Sequence, residues 1–234
     1  MIDYGAPPAD NEIEVTLFGP GYGEAIAVHL GEGNWMLVDS CIDPESKASA
    51  SGTYLEKIGV DPKQVRSIIA THWHDDHVRG ISQLASKHPT AEFSISAVFN
   101  DREATAFLAA HSGASSSGLS RGAKELFEVI QGRVNVFAAL NRSIVLEATL
   151  NGHQVKVTAL SPVKAAFAQS IARMAQYMAR KDRPINSAPE LHPNLEAVTL
   201  HIDLGGDAIL LGADRGRPRY LWLVSRGCRS MVVG

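Results

Sequence analysis

The 234-residue sequence has little of several features that would mark particular classes of protein. It holds two cysteines, Cys41 and Cys228, and no Cys-x-x-Cys pair, which argues against a disulfide-stapled fold and favours a reducing compartment. Its 22 basic and 25 acidic side chains give a net charge of −3, so no global basic surface indicates nucleic-acid binding. A hydrophobic fraction of 45% is ordinary for a globular chain that builds its own core.

Targeting and membrane signals are also missing. The N-terminal segment is acidic and contains proline, with neither the basic part nor the apolar part of a secretory signal. No uninterrupted apolar run approaches the roughly 20 residues that a membrane-spanning helix requires. We therefore predict a cytoplasmic protein that makes no use of a membrane.

Hydrophobic periodicity predicts strands and helices mixed along the chain. Strands are predicted at 12–18, 25–30, 35–38, 67–70, 93–99, 143–150, 153–160, 196–204 and 207–211. Helices are predicted at 50–58, from 78 to a stop at Pro89, and at 100–111, 120–131 and 161–181. Asn151-Gly152 predicts a hairpin turn between two alternating segments. Because no repeat and no linker divides the chain, we predict a single domain over 1–234.

Three histidines and two aspartates fall within six residues: His72, His74, Asp75, Asp76 and His77. In an extended segment, side chains two apart point to the same side, so His72 and His74 are placed to share one ion. Asp76 and His77 follow where the chain bends into the next helix, and they are placed to hold a second ion beside the first. Imidazole and carboxylate without thiolate suit zinc, manganese or iron. We predict two Zn²⁺ ions, with Mn²⁺ or Fe²⁺ as alternatives.

At these residues the sequence resembles the metallo-β-lactamase fold superfamily, whose signature is His-x-His-x-Asp-His. Residues 72–77 match the signature in full, and 68–71 match the strand that precedes it. The resemblance covers about 12–214 and leaves 215–234 as an atypical tail. It implies an α/β (α+β) fold, a four-layer αββα sandwich of two mixed β-sheets flanked by helices. The motif is specific for the fold and says almost nothing about the substrate.

The resemblance also implies roles for aspartates outside the motif. Asp39, which ends a predicted strand, matches a family aspartate that supports the metal-binding loop. Asp214, which ends a later predicted strand, matches the carboxylate that bridges both metals. The implied metal ligands are His72, His74, Asp76, His77 and Asp214. Asp76 and Asp214 are the implied catalytic residues.

Two family histidines are less clear in this sequence. One lies between the signature and the bridging aspartate, and its candidates are His111, His153 and His192. The other lies near the C-terminus in the family, but no histidine follows His201 here. A different ligand then completes the second metal site, or that site is weak.

A finer resemblance is to the competence-protein branch of the superfamily. That branch has a Gly-x-Gly-Asp-Ala-like turn between its first two strands, and residues 21–25 read Gly-Tyr-Gly-Glu-Ala. It also has an asparagine and a strand before a Leu-Leu-x-Gly-Asp segment, which Asn194 and residues 198–214 resemble. The membrane channel of competence proteins has no counterpart here, so a role in DNA uptake is not carried over.

The implied function is hydrolysis by a metal-bound hydroxide. The first hypothesis is a phosphodiesterase or nuclease acting on a small-molecule or nucleic-acid phosphodiester. A small ester, lactone or thioester is the second kind of substrate, and a catalytically weak metal-binding module that acts through an unknown protein partner is the third hypothesis. The arginine-rich tail either faces an anionic substrate or is a solvated terminus. Trp73, between two ligands, either shapes the substrate pocket or packs beneath the loop.

Overall fold

The computed structural model of the chain describes residues 5–19, 23–101, 104–106, 121–150, 152–178, 193–213, 221–224 and 229–233. Its twelve described strands are β1 Glu14–Phe18, β2 Ala25–His29, β3 Trp35–Val38, β4 Val65–Ala70, β5 Glu92–Ser96, β6 Val136–Ala139, β7 Ile144–Leu150, β8 His153–Ala159, β9 Leu200–Asp203, β10 Ala208–Leu211, β11 Leu221–Val224 and β12 Arg229–Val233. The described α-helices are α1 Ala50–Lys57, α2 Asp75–Val78, α3 Ile81–Lys87, α4 Arg121–Gly132 and α5 Lys164–Met178. Short 3₁₀ turns lie at Pro62–Gln64, Ala97–Asn100 and Pro193–Leu195.

The strands form two sheets. The first has the order β12-β1-β2-β3-β4-β5-β6 and is mixed, because β3 to β6 run parallel while β2 is antiparallel to both of its neighbours. The second has the order β11-β10-β9-β8-β7. All of its described pairings are antiparallel, which corrects the expectation that both sheets are mixed. In the second sheet, hairpins at Gly152 and at Gly205-Gly206 reverse the chain, so neighbouring strands are antiparallel. In the first sheet, by contrast, helical crossovers connect strands that run parallel.

Alternation along the strands divides the core in two. In β2, Ile26 and Val28 face the second sheet, while Ala25 and Ala27 face the helices. The core between the sheets takes its side chains from β1 to β4 and from β6 to β10. The other core is filled by α1, α3, α4 and α5 on the outer face of the first sheet. The predicted mixed fold with two sheets and flanking helices is confirmed, and the described residues show its layers in the order helix, sheet, sheet.

Two predicted elements differ from the structure, one strand has no predicted counterpart, and one predicted helix lies mostly outside the described residues. The helix predicted from 78 to 89 is broken into α2 and α3 at Gly80, whose φ is +85°. The strand predicted at 93–99 ends at Ser96 and continues as a 3₁₀ turn. Strand β6 is absent from the predicted strands, because its four residues are too short to show a period. The helix predicted at 100–111 lies mostly outside the described residues.

The tail that the sequence marks as atypical contributes an edge strand to each sheet. Strand β11 pairs with β10, and β12 pairs in parallel with β1. Within the part of the chain that the structure describes, no helix is both long and apolar enough to cross a membrane.

Candidate metal centre

The predicted ligand loop follows β4, near the middle of the first sheet. Strand β4 is parallel to both neighbours, β3 and β5, and the carboxyl edge of parallel strands is where α/β folds place their sites. The chain leaves β4 at Ala70 and enters α2 at Asp75, so residues 71–74 form the loop. His72 and His77 are buried, whereas His74 and Asp76 are partly exposed.

Asp39 holds this loop from the neighbouring strand. It directly follows β3 with a φ of +59°, a left-handed conformation that aspartate tolerates better than most residues. Its Oδ1 accepts a hydrogen bond from Thr71 N at 2.7 Å, and its Oδ2 accepts one from Thr71 Oγ1 at 2.7 Å. His77 Nδ1 lies 2.8 Å from the same Oδ2. One buried carboxylate therefore fixes both ends of the loop.

These contacts determine which ring nitrogens carry protons. An ionised carboxylate only accepts, so His77 Nδ1 donates to Asp39 and leaves Nε2 with its lone pair. Thr71 Oγ1 has one proton, which it donates to Asp39. The 2.9 Å contact between Thr71 Oγ1 and His72 Nδ1 must then use the proton of His72 Nδ1. His72 Nε2 is left with a lone pair as well, which is the form that binds a metal.

His72 and His74 fit a shared metal ion. His72 Nε2 lies 3.1 Å from His74 Nδ1, and the ring centroids are 4.8 Å apart. Two nitrogens bound tetrahedrally at about 2.0–2.1 Å from one ion lie about 3.3 Å from each other. The donor set and its spacing therefore fit a divalent ion, as the two-residue separation in the sequence predicts.

Asp76 and His77 lie beside this pair. Asp76 Oδ2 is 3.8 Å from His77 Nε2, which is too far for a hydrogen bond and within the span of two ligands each about 2 Å from one ion. The His77 ring centroid is 4.3 Å from that of His72. Ligand atoms of Asp39, His72 and His77 all lie within 4.8 Å of one another, which makes these three a candidate metal site.

Burial keeps the centre of this cluster uncharged. Burial, together with the neighbouring His77 and His74, lowers the pKa of His72 to about 2. His72 therefore stays neutral at physiological pH and keeps a nitrogen free of its proton for a cation. Burial, with Asp39, Glu24 and Asp43 nearby, raises the pKa of Cys41 to about 11. The thiol of Cys41 is thus protonated at neutral pH and is not a ready metal ligand.

The turn before β2 packs against the ligand loop. Glu24 N donates to the backbone oxygen of Asp76 at 2.8 Å. Gly23 has a φ of +124°, and a Cβ there would lie 2.6 Å from Cys41 Cβ and 3.1 Å from Asp76 O. The turn that resembles the competence-protein branch therefore touches the metal-binding segment.

Helix α4 supports the same segment from the other side. Asp75 Oδ1 accepts a hydrogen bond from Gly122 N at 2.6 Å, in the first turn of α4. Glu125 Oε2 accepts one from Gly80 N at 2.7 Å, where α2 gives way to α3. No local pattern in the sequence indicates either pairing, because more than forty residues separate the partners in each.

Of the other predicted site residues, only His153 lies within the described part of the chain. Asp214, His111 and His192 lie outside the described residues. His153 begins β8, six residues and about 20 Å from the Ala159 end that adjoins Leu200. Since the segment before Leu200 contacts the ligand loop through Val198 N and Thr71 O, His153 lies at the wrong end of its strand to join the cluster.

Trp73 packs beneath the loop, with its ring centroid 6.2 Å from that of Phe99 in the helix-side core. Glu196 is a buried carboxyl group near this loop that the sequence analysis does not single out. It is 2% exposed and close enough to Trp73 to interact with it. The only feature of the sequence that could have indicated Glu196 is its position, shortly after Asn194 and before the strand that leads to Asp214.

Residues 18–104 match the family model of the metallo-beta-lactamase superfamily. This match confirms the resemblance to the metallo-beta-lactamase superfamily over these residues. The matched region includes Asp39, the ligand loop and α2, so the residues that carry the fold's metal motif are those that the geometry brings together. None of the curated proteins compared with the chain matches it.

Among solved structures, the chain is similar to the MIM-2 metallo-beta-lactamase, with 15% identity, a TM-score of 0.45, and coverage of 89% of this chain and 62% of that one. A Cronobacter sakazakii metallo-beta-lactamase with a HARLDQ motif gives 16% identity, a TM-score of 0.48 and coverage of 93% and 66%. A mutant flavo di-iron protein from Thermotoga maritima gives 17% identity, a TM-score of 0.39 and coverage of 77% and 30%. The chain thus spans less than two thirds of the length of each of these proteins, and similarity at this level indicates no substrate.

Proposed function

We propose that the protein is a metal-dependent hydrolase of the phosphodiesterase type. The observation that carries the proposal is the pair His72 Nε2 and His74 Nδ1, 3.1 Å apart, beside His77 and Asp76. The superfamily consists mainly of metallo-hydrolases, and the candidate metal-binding residues lie in its matched region. We further propose that the metal is zinc, that two ions are bound and that the substrate is a phosphodiester.

In this scheme His72 and His74 would hold one ion, Asp76 and His77 would hold a second, and Asp214 would be a further carboxylate ligand. A divalent ion held here supplies Lewis-acid chemistry, which activates water near neutral pH and stabilises negative charge on the substrate. Asp39 keeps His77 and, through Thr71, His72 in the tautomer whose Nε2 has a lone pair that would be available to an ion.

Asp76 has a further role in the proposal. Its side chain is 22% exposed, so its carboxylate can pass a proton between the attacking water and bulk solvent. The neighbouring Asp75, at the variable position of the motif, accepts a hydrogen bond from Gly122 N and has no chemical role in this proposal. Adjacent carboxylates thus have separate tasks, one chemical and one structural.

Phosphodiesters are proposed ahead of carboxylic substrates because of the turn at residues 21–25. This turn carries the competence-protein resemblance, and its backbone contacts Asp76 through Glu24 N. Lactones, thioesters and small esters remain the alternative substrates on the same residues, and a partner-directed metal-binding module without turnover is the remaining alternative.

The test uses the purified chain with Mn²⁺ or Zn²⁺ and a panel of bis(p-nitrophenyl) phosphate, a lactone and a thioester. We expect metal-dependent phosphodiester hydrolysis that a chelator abolishes. Asp76→Asn should lower kcat by about 10²–10⁴-fold, the range for loss of an acid–base group. Asp75→Asn is the matched control, since its amide oxygen still accepts from Gly122 N, and it should keep most of the activity.

Hydrolysis of the lactone or thioester alone would favour the alternative substrates. Metal retention without turnover on the whole panel would favour the metal-binding module. A wild-type chain that binds no divalent ion would overturn the proposal.

A further inference from the structure

Helix α2 carries two of the proposed ligands, Asp76 and His77, but it is too short to fix their positions by itself. It spans Asp75–Val78, and the backbone hydrogen bonds that close it end on His74 O and Asp75 O. A single helical turn is unstable in isolation, because ordering its residues costs more free energy than so few hydrogen bonds supply. The direction in which the two ligands point is therefore set by the contacts that hold α2 from outside.

The backbone groups at the end of α2 bind to other elements. In a continuing helix, Gly80 N would donate to Asp76 O, four residues earlier. The φ of +85° at Gly80 ends the helix instead. Asp76 O accepts a hydrogen bond from Glu24 N at 2.8 Å, and Gly80 N donates one to Glu125 Oε2 at 2.7 Å. The helix break next to the ligands thus has one partner in the turn before β2 and another in α4.

Helix α4 holds α2 at both ends. Asp75, the first residue of α2, accepts a hydrogen bond from Gly122 N at 2.6 Å through Oδ1. Gly122 lies in the first turn of α4, where N–H groups have no partner within the helix and the helix dipole favours a carboxylate. Glu125, which binds Gly80 N just after α2, lies three residues further along the same side of α4. The two ligands of α2 lie between these contacts.

The two helices approach each other closely at Gly122. A Cβ there would lie 2.7 Å from Val78 Cγ2 and 2.8 Å from Asp75 Oδ1. Gly132, at the other end of α4, has no atom within 4 Å of an added Cβ. An alanine at Gly122 would therefore push α4 away from α2, whereas an alanine at Gly132 would not.

The first pair of proposed ligands is held differently. His72 and His74 precede α2, and the loop that carries them begins where β4 ends. Thr71 Oγ1 lies 2.9 Å from His72 Nδ1 and donates its own proton to Asp39. The contacts of α4 described above lie after His74, so the two pairs of ligands can be perturbed separately.

We propose that Glu125 is a positioning residue for Asp76 and His77, which it orients by fixing the end of α2 through Gly80 N. Its Oε2 is itself held near α3 by Ser82 Oγ, which donates to it at 3.3 Å. This inference rests on the proposed function, because these two side chains are the proposed ligands of the second ion. Partners that orient ligands without touching the ion commonly change metal affinity by about 10–100-fold when they are removed.

Co²⁺ alone is the probe, because its visible absorption spectrum reports ligand geometry and a titration resolves successive ions. Glu125→Ala removes the acceptor of Gly80 N, and Gly122→Ala separates the helices. We expect each variant to bind the second Co²⁺ about 10-fold more weakly, and the first within about 3-fold of the wild type. Glu125→Gln keeps an acceptor oxygen, so it should stay within about 3-fold of the wild type for both ions.

Two control variants lie on the same helix. Glu128→Ala removes an exposed carboxylate three residues after Glu125, and Gly132→Ala adds a Cβ in open space. Both should bind Co²⁺ as the wild type does. If Gly122→Ala does not fold, Glu125→Ala and Glu125→Gln still provide the comparison. Equal weakening of both ions in Glu125→Ala would show that α4 only supports the fold as a whole, and it would overturn the positioning role.

A metal-free measurement tests the contact itself. Because Gly80 N–H donates to a carboxylate, its ¹H–¹⁵N signal should move upfield in Glu125→Ala, and the ring ¹⁵N signals of His77 should shift with it. Unmoved His77 signals would show that α2 keeps its position without Glu125, which overturns the role. Wild-type protein that binds two Co²⁺ ions, with Glu125→Ala indistinguishable from it, overturns the positioning role alone. Wild-type protein that binds fewer than two ions overturns the two-ion proposal and this role together.

Discussion

At the scale of single residues, Asp39 is the group on which the ligand loop depends most. It accepts three hydrogen bonds, two from Thr71 and one from His77, and it is 5% exposed. No other described side chain sets the proton positions of two predicted ligands. Its neighbour Asp43, by contrast, closes an exposed turn by accepting from Ser46 N at 2.8 Å.

We predict that Asp39→Asn weakens Zn²⁺ binding by about 10–100-fold, because the amide nitrogen places a donor against Thr71 or His77 and disturbs the His77 tautomer. Isothermal titration with Zn²⁺ measures the change. Asp43→Asn, which keeps its turn contact, serves as the control and should bind as the wild type does. Equal affinities for Asp39→Asn and wild type would remove Asp39 from the site.

Glu196 gives a prediction about pH. Its pKa is raised from 4.5 to about 7 by burial, so the native state binds more protons than the unfolded state between these values. Stability therefore falls as pH rises through this window, by about 3 kcal/mol for this group alone. His29, His72 and His88, whose pKa values are lowered by burial, act in the opposite direction below pH 6.5.

The difference between wild type and Glu196→Gln isolates this contribution from that of the histidines. Urea unfolding at pH 5 and pH 8 should show that the variant loses less stability, or gains more, than the wild type over this interval. Identical pH profiles for the two proteins would show that the carboxyl group keeps its ordinary pKa.

At the scale of elements, glycine turns shape the surroundings of the ligand loop. Gly80 divides the predicted helix because its φ is +85° and a Cβ would lie 2.8 Å from the Ile42 side chain. Helix α2 therefore ends before Gly80, and Glu125 accepts the hydrogen bond from the Gly80 N–H. The periodicity of the apolar residues 78, 81, 84 and 85 correctly indicates helix, and it cannot reveal this break because close packing, not periodicity, requires it.

Gly23 leads to a prediction at this scale. Gly23→Ala combines a left-handed φ with a clash against Cys41, so it should lower the free energy of unfolding by about 2–4 kcal/mol and weaken metal binding. Gly152→Ala controls for the backbone term: its φ is +75° and no atom lies within 4 Å of the added Cβ. Its cost should be about 1–2 kcal/mol with metal affinity unchanged. Similar losses in both variants would show that the clash is relieved elsewhere.

Strands can be predicted from the sequence where they contain alternating or continuous apolar residues and are bounded by tight turns. The hairpin between β7 and β8 and the strand Trp35–Val38 are located from the sequence, since turn chemistry and apolar runs are local. Strand β6 is not, because it is an edge strand of four residues with Phe137 42% exposed. The segment is a strand because it pairs with β5, and its own sequence does not indicate this.

At the scale of the whole molecule, the two sheets are held together by one apolar core. Ile69 of β4 is fully buried in it, immediately before the chain turns into the ligand loop. The predicted metal ligands are thus anchored by a strand that is packed on both faces. Stability and site geometry are coupled through this strand.

We predict that Ile69→Ala lowers the free energy of unfolding by about 2–5 kcal/mol, through lost burial and the cavity it leaves. Ile144 of β7 is 41% exposed, and Ile144→Ala should change stability by less than about 1 kcal/mol. Urea unfolding of both variants tests the comparison. Equal losses would mean that the two sheets do not share the core described above.

The sequence by itself determined the candidate metal-binding segment, because His72, His74, Asp76 and His77 are close along the chain and their spacing sets which side chains share a face. It also determined the turn residues and most strands, for the same local reason. Only the tertiary structure decided how that segment is held. Asp39 accepts a hydrogen bond from His77, 38 residues away, and Asp75 accepts one from Gly122 in α4. These pairings follow from strand order and sheet packing, which bring together residues that no local pattern connects.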